Sequence, residues 1–122
     1  MKVSDVKDEN VKENLLALSE VLMEFFGLKV RLSYQENKNK YGTRNWVEQW
    51  INWMEYYIEI VDQEHGEEGD SWWYGRSLGE AFEAMMNELK PGANLKYGSR
   101  NIVLPSFRSL EELRMKLELQ GK

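Results

Sequence analysis

The residues most suited to charge-based chemistry lie in one acidic stretch, residues 64–70, which reads EHGEEGD. Its carboxylates are Glu64, Glu67, Glu68 and Asp70. Together with His65, the only histidine, they could bind a divalent cation, but their spacing fits neither an EF-hand loop nor a zinc site. We therefore predict no metal and no cofactor, and interpret the stretch as a solvated loop whose acidic face contacts a basic protein surface.

The composition also argues against nucleophilic and acid–base catalysis. The chain has no cysteine and one histidine, and its serine, histidine and aspartate residues do not follow an order known from hydrolases. Catalysis would depend on carboxylates alone, which we expect on exposed helix and loop faces. The sequence therefore predicts a protein that is not an enzyme.

Two similar hexapeptides offer a second kind of chemistry. Residues 40–45 read KYGTRN and residues 96–101 read KYGSRN. Each provides cations, a hydroxyl and an aromatic ring, which are groups that contact phosphate or nucleic acid. The candidate phosphate contacts are Lys40, Arg44, Lys96 and Arg100. The alternative, which the sequence favours, is a turn motif whose glycine and asparagine permit a positive φ and whose basic residues are only solvated.

Five tryptophans between residues 46 and 73 make this part of the chain strongly aromatic. Aromatic rings serve both as core residues and as contacts with protein partners. We expect Trp46, Trp50 and Trp72 to be packing residues. Because Trp72 and Trp73 are adjacent on a predicted strand, they must point to opposite faces. Trp73 is therefore the predicted partner-binding aromatic residue.

The first half of the chain is predicted to contain two helices and one strand. Apolar residues from 11 to 25 recur at spacings of three and four and are followed by Gly27, which indicates a helix and its end. Residues 28–34 alternate apolar and polar side chains, as a strand with one buried face does. Residues 35–40 are polar throughout and predict a loop. Residues 45–53 show a 3.6-residue rhythm and predict a short helix.

The centre of the chain is predicted to form a hairpin followed by a helix. Residues 54–61 and 71–76 are rich in β-branched and aromatic side chains, which favours two paired strands. Ser77 and Glu80 match a capping box, in which Glu80 also accepts from the Ser77 amide. The apolar stripe of the helix, which should pack on the hairpin, is Leu78, Ala81, Phe82, Met85 and Leu89.

The last third is predicted to form a second hairpin and a last helix. Residues 90–92, which read KPG, end the preceding helix. Residues 95–97 and 102–104 flank a four-residue loop and predict a hairpin. A second capping box begins at Ser109 and predicts a helix, although residues 113–119 alternate as a strand would.

These elements predict an α+β fold in which three or four helices pack a small antiparallel sheet of about four to five strands, in the order α-β-α-β-β-α-β-β-α. At 122 residues the chain suits a single domain, residues 1–122. Its net charge of −5 divides into −9 over residues 1–89 and +4 over residues 90–122, which favours a basic partner over nucleic acid. No apolar run could span a membrane and residues 1–5 do not resemble a signal peptide, so we expect a cytoplasmic protein.

Residues 72–81, which read WWYGRSLGEA, carry a resemblance to known proteins. A strand followed by Gly-x-Ser-x-x-Glu-Ala at a helix start is similar to HicB-like antitoxins and short phage-encoded accessory proteins. A short, acidic, cysteine-free, aromatic-rich domain also resembles phage accessory proteins, a class that includes inhibitors of host defence systems such as CRISPR effectors. The resemblance implies a protein that acts in the cytoplasm of a host cell.

The first functional hypothesis is a non-enzymatic protein-binding module that occludes or sequesters a protein partner. Its acidic surface, with Trp73, would meet a basic site, such as the nucleic-acid-binding surface of a defence complex. The alternative is a protein that binds nucleic acid or nucleotide phosphate through the paired hexapeptides. If the hexapeptides lie together beside an exposed tryptophan, the alternative gains support, whereas separated hexapeptides support the first hypothesis.

Overall fold

The structure is a computed structural model that describes the backbone of residues 2–44, 47–62 and 71–121. Side chains are described for these residues outside the range 38–52. Trp46 and Trp50, two of the predicted packing residues, therefore lie outside the described side chains. The same is true of the whole acidic stretch, residues 64–70.

Within the described residues the chain forms three helices and five antiparallel strands in two small sheets, an α+β fold as the sequence predicts. A short 3₁₀ turn, Val3–Asp5, precedes them. The helices are α1 (Glu9–Phe26), α2 (Leu78–Leu89) and α3 (Leu110–Gln120). The strands are β1 (Leu28–Arg44), β2 (Val47–Asp62), β3 (Trp72–Gly75), β4 (Ala93–Tyr97) and β5 (Arg100–Leu104). The described helices include none that is long and apolar enough to cross a membrane.

The first sheet has the order β1-β2-β3, with β1 and β2 paired along almost their whole length. The register runs from Leu28 opposite Asp62 to Arg44 opposite Val47, with an irregularity between Lys40 and Gly42. The short strand β3 pairs only with residues 56–59 of β2. The outer part of the β1–β2 ribbon therefore extends beyond β3.

Two predicted elements in this ribbon are wrong. Residues 35–40, predicted as a loop, continue β1, and residues 47–53, predicted as part of a helix, belong to β2. The 3.6-residue rhythm was misleading because tryptophan, isoleucine and valine also suit a strand, and pairing with β1 gives each of these residues a partner in the ladder. A polar segment can likewise remain extended when a neighbouring strand satisfies its backbone groups.

Side-chain caps fix the starts of the helices. Asp8 accepts hydrogen bonds from the amides of Asn10 (3.0 Å) and Val11 (3.2 Å) at the start of α1. Ser77 accepts from the Glu80 amide at 3.1 Å, which confirms the predicted cap of α2. The Glu80 carboxylate accepts from the amide of Arg76, one residue earlier than the capping box predicts, at 2.9 Å.

The other two helix predictions are also confirmed. Ser109 caps α3 by accepting from the Glu112 amide at 3.2 Å, so the helical alternative prevails over the alternating pattern of its apolar residues. Gly27 ends α1 with a φ of 67°, a left-handed conformation that glycine adopts without steric cost.

One face of the first sheet is covered by helices and forms the core. α1 packs on β1, and α2 packs on β2 and β3. The fully buried side chains include Leu15, Leu18, Leu22, Leu28, Ile58, Ile60, Met85 and Leu89. Phe82 of the predicted stripe is partly buried and packs at the edge of this core. We call this covered side the inner face of the sheet.

The second sheet, β4 and β5, shares its buried apolar side chains with the core, and two described polar side chains also link it to the first sheet and α1. The Tyr97 hydroxyl donates to the Ile60 carbonyl at 2.6 Å. The Arg100 guanidinium contacts the Asp62 carboxylate at 3.1 Å and donates to the Phe26 carbonyl at 2.6 Å. The predicted four-residue loop is shorter, because Tyr97 pairs directly with Arg100 and only residues 98 and 99 form the turn. Arg100 is thereby a strand residue that joins the two sheets and α1.

Candidate functional site

The face of the first sheet opposite the helices carries most of the aromatic side chains of β2 and β3. Successive side chains of a strand alternate between the two faces. Because Ile58 and Ile60 point into the core, the odd-numbered residues of β2 lie on the other face. We call this side the aromatic face. Its described members include Trp53, Glu55, Tyr57 and Glu59 of β2, Trp72 and Tyr74 of β3, and Arg31 and Ser33 of β1.

Three rings on this face form a contiguous cluster. The ring centroids of Trp72 and Tyr74 are 5.6 Å apart, and those of Tyr57 lie 6.1 Å from Trp72 and 6.3 Å from Tyr74. All three pairs are tilted, an arrangement that aromatic rings favour over parallel face-to-face stacking. Trp72 is 49% exposed and Tyr74 57% exposed, so the cluster presents a large apolar surface to solvent.

Glu55 organises the other end of the aromatic face. Its carboxylate accepts a hydrogen bond from the Trp53 indole nitrogen at 3.1 Å and another from the Tyr57 hydroxyl. These two hydrogen bonds lower the pKa of the Glu55 carboxyl, and the hydrogen bond from Tyr57 has the larger effect. The same interaction raises the pKa of the Tyr57 hydroxyl. Glu55 is therefore an ionised carboxylate whose hydrogen bonds hold the two aromatic side chains in place.

Two arginines lie at the margins of this face. Arg31 of β1 forms an ion pair with Glu59, its cross-strand neighbour, at 2.7 Å. Arg76, which follows β3, places its guanidinium carbon 5.8 Å from the centroid of the Trp53 ring, a cation–π distance. The face therefore combines tryptophan, tyrosine and arginine, the three residue types most enriched in energetic hot spots of protein interfaces.

The assignment of the two adjacent tryptophans is reversed relative to the prediction. Trp73, predicted to be exposed, is only 8% exposed, and its indole nitrogen donates to the Glu88 carboxylate of α2. Trp72, predicted to be a packing residue, is the exposed one. The cause is register, since Trp73 lies opposite the fully buried Ile58 and therefore on the inner face. Trp73 cannot contact a partner without disturbing the core.

The structure separates the two hexapeptides instead of bringing them together. Lys40 and Arg44 lie in the outer part of β1, beyond the range of the described side chains. Arg100 lies at the other end of this strand, where it contacts Asp62, the partner of Leu28. Lys96 is exposed on β4. Of the four candidate phosphate contacts, Arg100 is thus already bound to groups within the protein.

The predicted acidic site, Glu64, Glu67, Glu68 and Asp70, falls outside the described residues, and its role stays a prediction. Among the described residues there is no group of histidine, aspartate and glutamate side chains that could hold a metal ion. A cleft of about 570 Å³ lies between the N-terminal segment and the start of α2, lined in part by Val6, Val11, Tyr56 and Leu78.

The sequence contained a signal for the aromatic face that the helical interpretation concealed. Trp53, Glu55, Tyr57 and Glu59 occur at every second position, which is the period of a strand. This alternation places all four on one face, and the β-rich run predicted from residue 54 onward already included three of them. Extending that run by one residue would have joined Trp53 to the other three.

No family model matches the chain, and no curated protein and no solved structure is significantly similar to it. Its resemblance to phage accessory proteins therefore stays a prediction, and the argument for function rests on the geometry of the aromatic face.

Proposed function

We propose that the protein is a non-enzymatic binding module that recognises a protein partner through the aromatic face. The observation that carries the proposal is the cluster of Tyr57, Trp72 and Tyr74 on the face of the sheet that the helices leave open. A cluster of half-exposed rings flanked by arginines is typical of surfaces that are buried on association. By covering a surface of its partner, such a module acts by occlusion or sequestration.

Charge favours a protein partner over nucleic acid at this face. Nucleic-acid bases can stack on exposed aromatic rings, but the phosphate backbone of the nucleic acid must then approach the same surface. The ionised carboxylate of Glu55 lies beside the rings and repels phosphate. The net charge of −5 acts in the same direction, and both features favour a partner with a basic segment.

The positions of the hexapeptides further support this choice. A phosphate-binding surface built from both would need Lys40 and Arg44 near Lys96 and Arg100. They lie at opposite ends of β1, and Arg100 is engaged by Asp62 and by the Phe26 carbonyl. The separated arrangement is the one expected of the protein-binding hypothesis.

The test compares exposed aromatic residues on the two faces of the same sheet. Trp72→Ala and Tyr74→Ala remove rings from the aromatic face, whereas Tyr34→Ala removes a ring that is 59% exposed on the inner face. Each protein is used as bait in a lysate of the native host, and the captured proteins are identified by mass spectrometry. Affinity for the recovered partner is then measured by calorimetry with each variant.

We expect Trp72→Ala and Tyr74→Ala each to weaken binding by roughly 30-fold or more, because truncating an interface hot spot costs about 2 kcal/mol or more. Tyr34→Ala should bind with the wild-type affinity per chain, whatever its oligomeric state. The proposal is wrong if a partner binds all four proteins equally, or if the protein captures only nucleic acid and does so regardless of Trp72.

A further inference from the structure

Among the described strands, β1 has the longer of the two free edges of the first sheet. β1 is the outer strand in the order β1-β2-β3, so one of its sides has no neighbouring strand among the described residues. Exposed edges of this length are templates for pairing with another chain. β3 also forms an edge, but it has only four residues, Trp72–Gly75.

The hydrogen bonds of the sheet determine which groups this edge presents. The Ile60 amide donates to the Ser71 carbonyl at 3.0 Å, so the backbone polar groups of Ile60 point toward β3. In an antiparallel ladder, successive residues point these groups to alternate sides. The backbone amide and carbonyl of Glu59 therefore point toward β1, and those of its partner Arg31 point toward β2. The amides and carbonyls of Val30, Leu32, Tyr34 and Glu36 consequently point outward from the free edge.

The side chains along this edge suit antiparallel pairing with a second copy of the same strand. With Ser33 on a two-fold axis, Leu32 lies opposite Tyr34 of the second copy, and Val30 lies opposite Glu36. Arg31 then lies opposite Gln35 and Lys29 opposite Asn37, so no two like charges face each other. A shift that placed Arg31 on the axis would oppose two arginines.

One exposed aromatic ring also gains a contact in this arrangement. Tyr34 lies on the inner face next to the buried Leu32 but is largely exposed, and its ring would be covered by Leu32 of the second copy.

We infer that two copies of the chain associate through β1 into a symmetric dimer with a continuous six-stranded antiparallel sheet and Ser33 at the two-fold axis. An axis perpendicular to the sheet keeps both aromatic faces on the same side. The dimer presents two partner-binding clusters in one plane, but its formation does not depend on the function proposed for them.

A cysteine at the axis tests the arrangement directly, because the chain contains no cysteine. Ser33 would face its own copy in a non-hydrogen-bonded pair, where Cα atoms are about 4.5 Å apart, within the range that a disulfide requires. We expect Ser33→Cys to form a covalent dimer on mild oxidation. Ser99→Cys, in the turn between β4 and β5, is the control and should remain a monomer under denaturing conditions.

Charge at the axis provides a second, non-covalent test. The wild type should sediment at equilibrium with twice the 14.5 kDa mass of the chain and dissociate on dilution. Ser33→Lys places two lysines opposite each other and should raise the dissociation constant at least tenfold. Val103→Lys adds the same charge at an exposed position of β5 and should leave the dimer intact.

Three results would overturn the inference: a wild type that stays monomeric at its highest soluble concentration, a dimer that Ser33→Lys does not weaken, or a folded Ser33→Cys variant that does not cross-link. A monomer that instead binds an extended peptide along β1 would also overturn it, because the edge would then belong to a partner's strand. Trp72 lies on β3, at the other edge of the sheet, so Trp72→Ala should leave the dimer unchanged. Failure of the proposed function is therefore distinguishable from failure of this inference.

Discussion

Removing the Arg100 side chain should destabilise the protein more than removing any other described arginine. Its guanidinium contacts the Asp62 carboxylate, which is only 1% exposed, and the Phe26 carbonyl at the end of α1. Breaking a buried ion pair by deleting one partner costs about 3–5 kcal/mol, because the other charge stays in a poorly solvated place. The Arg100 side chain is itself 34% exposed, so solvent screening reduces this cost and we expect a loss of about 2–4 kcal/mol.

Arg114→Ala is the matched control for Arg100→Ala. The Arg114 side chain has the same exposure, 34%, and a closer ion pair, 2.7 Å to Glu24. Glu24, however, is 55% exposed and remains solvated when its partner is removed. An exposed pair of this kind contributes about 0–1 kcal/mol. The two variants differ in the burial of the carboxylate and in the hydrogen bond to the Phe26 carbonyl, which Arg100 alone donates. Arg114 has exposed contacts instead, 3.7 Å to Glu118 and 6.0 Å to the centroid of the Phe25 ring.

Urea denaturation measures the comparison. With a slope of about 1–3 kcal/mol per molar urea for a small protein, the Arg100→Ala midpoint should fall by about 1–2 M, and the Arg114→Ala midpoint should fall much less. Equal losses of unfolding free energy in the two variants would refute the reasoning, since they would show that the burial of Asp62 does not determine how much stability is lost. A small loss in both would also mean that the second sheet is held without Arg100.

Two further predictions concern Tyr97 and Gly75. Burial raises the pKa of the Tyr97 hydroxyl above its usual value near 10, so its contribution to stability is present below pH 10 and lost as the pH rises through the folded-state pKa. Tyr97→Phe should reduce the alkaline slope in a pH series of unfolding free energies to the part that Tyr57, whose pKa is also raised, contributes. It should cost about 1–2 kcal/mol at neutral pH through the lost hydrogen bond to Ile60. Gly75→Ala should destabilise the protein by about 1–3 kcal/mol in thermal denaturation, because the new Cβ would lie 2.6 Å from the Glu80 Cβ and 2.7 Å from the Ala81 nitrogen. In the control Gly79→Ala, the new Cβ meets nothing closer than 3.9 Å, and the variant should be neutral or stabilising by up to about 1 kcal/mol. If Gly79→Ala were the more destabilising of the two glycine variants, this would contradict the close approach of β3 to α2.

Local signals in the sequence predicted the parts of the fold that local chemistry determines. Ser77 and Ser109, the two predicted caps, start their helices because a side-chain oxygen next to a free amide is a local interaction. The hairpin of β2 and β3 was also predictable from local sequence, because each strand is a run of β-branched and aromatic residues.

The outer part of the ribbon depends on partners that are distant in sequence. Residues 35–40 carry no strand signal of their own, and residues 47–53 carry a helical one. Both are strands because residues 35–40 pair with residues 50–55 of β2, and residues 47–53 pair with residues of β1 between 37 and 44. The side on which a tryptophan lies is decided in the same way, since the exchange of Trp72 and Trp73 follows from a register set by Ile58. Periodicity within one segment contains no information about that register.

The same alternation makes the aromatic face a rigid surface. Glu55, Tyr57 and Glu59 are interleaved on β2 with Ile58 and Ile60, which have no exposed surface at all. The backbone of the aromatic face is therefore fixed by the core on the other side of the same strand. A partner that binds there meets rings whose positions are already set, which lowers the entropic cost of association. Because the ring of Trp72 lies outside the core, its removal should change binding without unfolding the sheet that positions it.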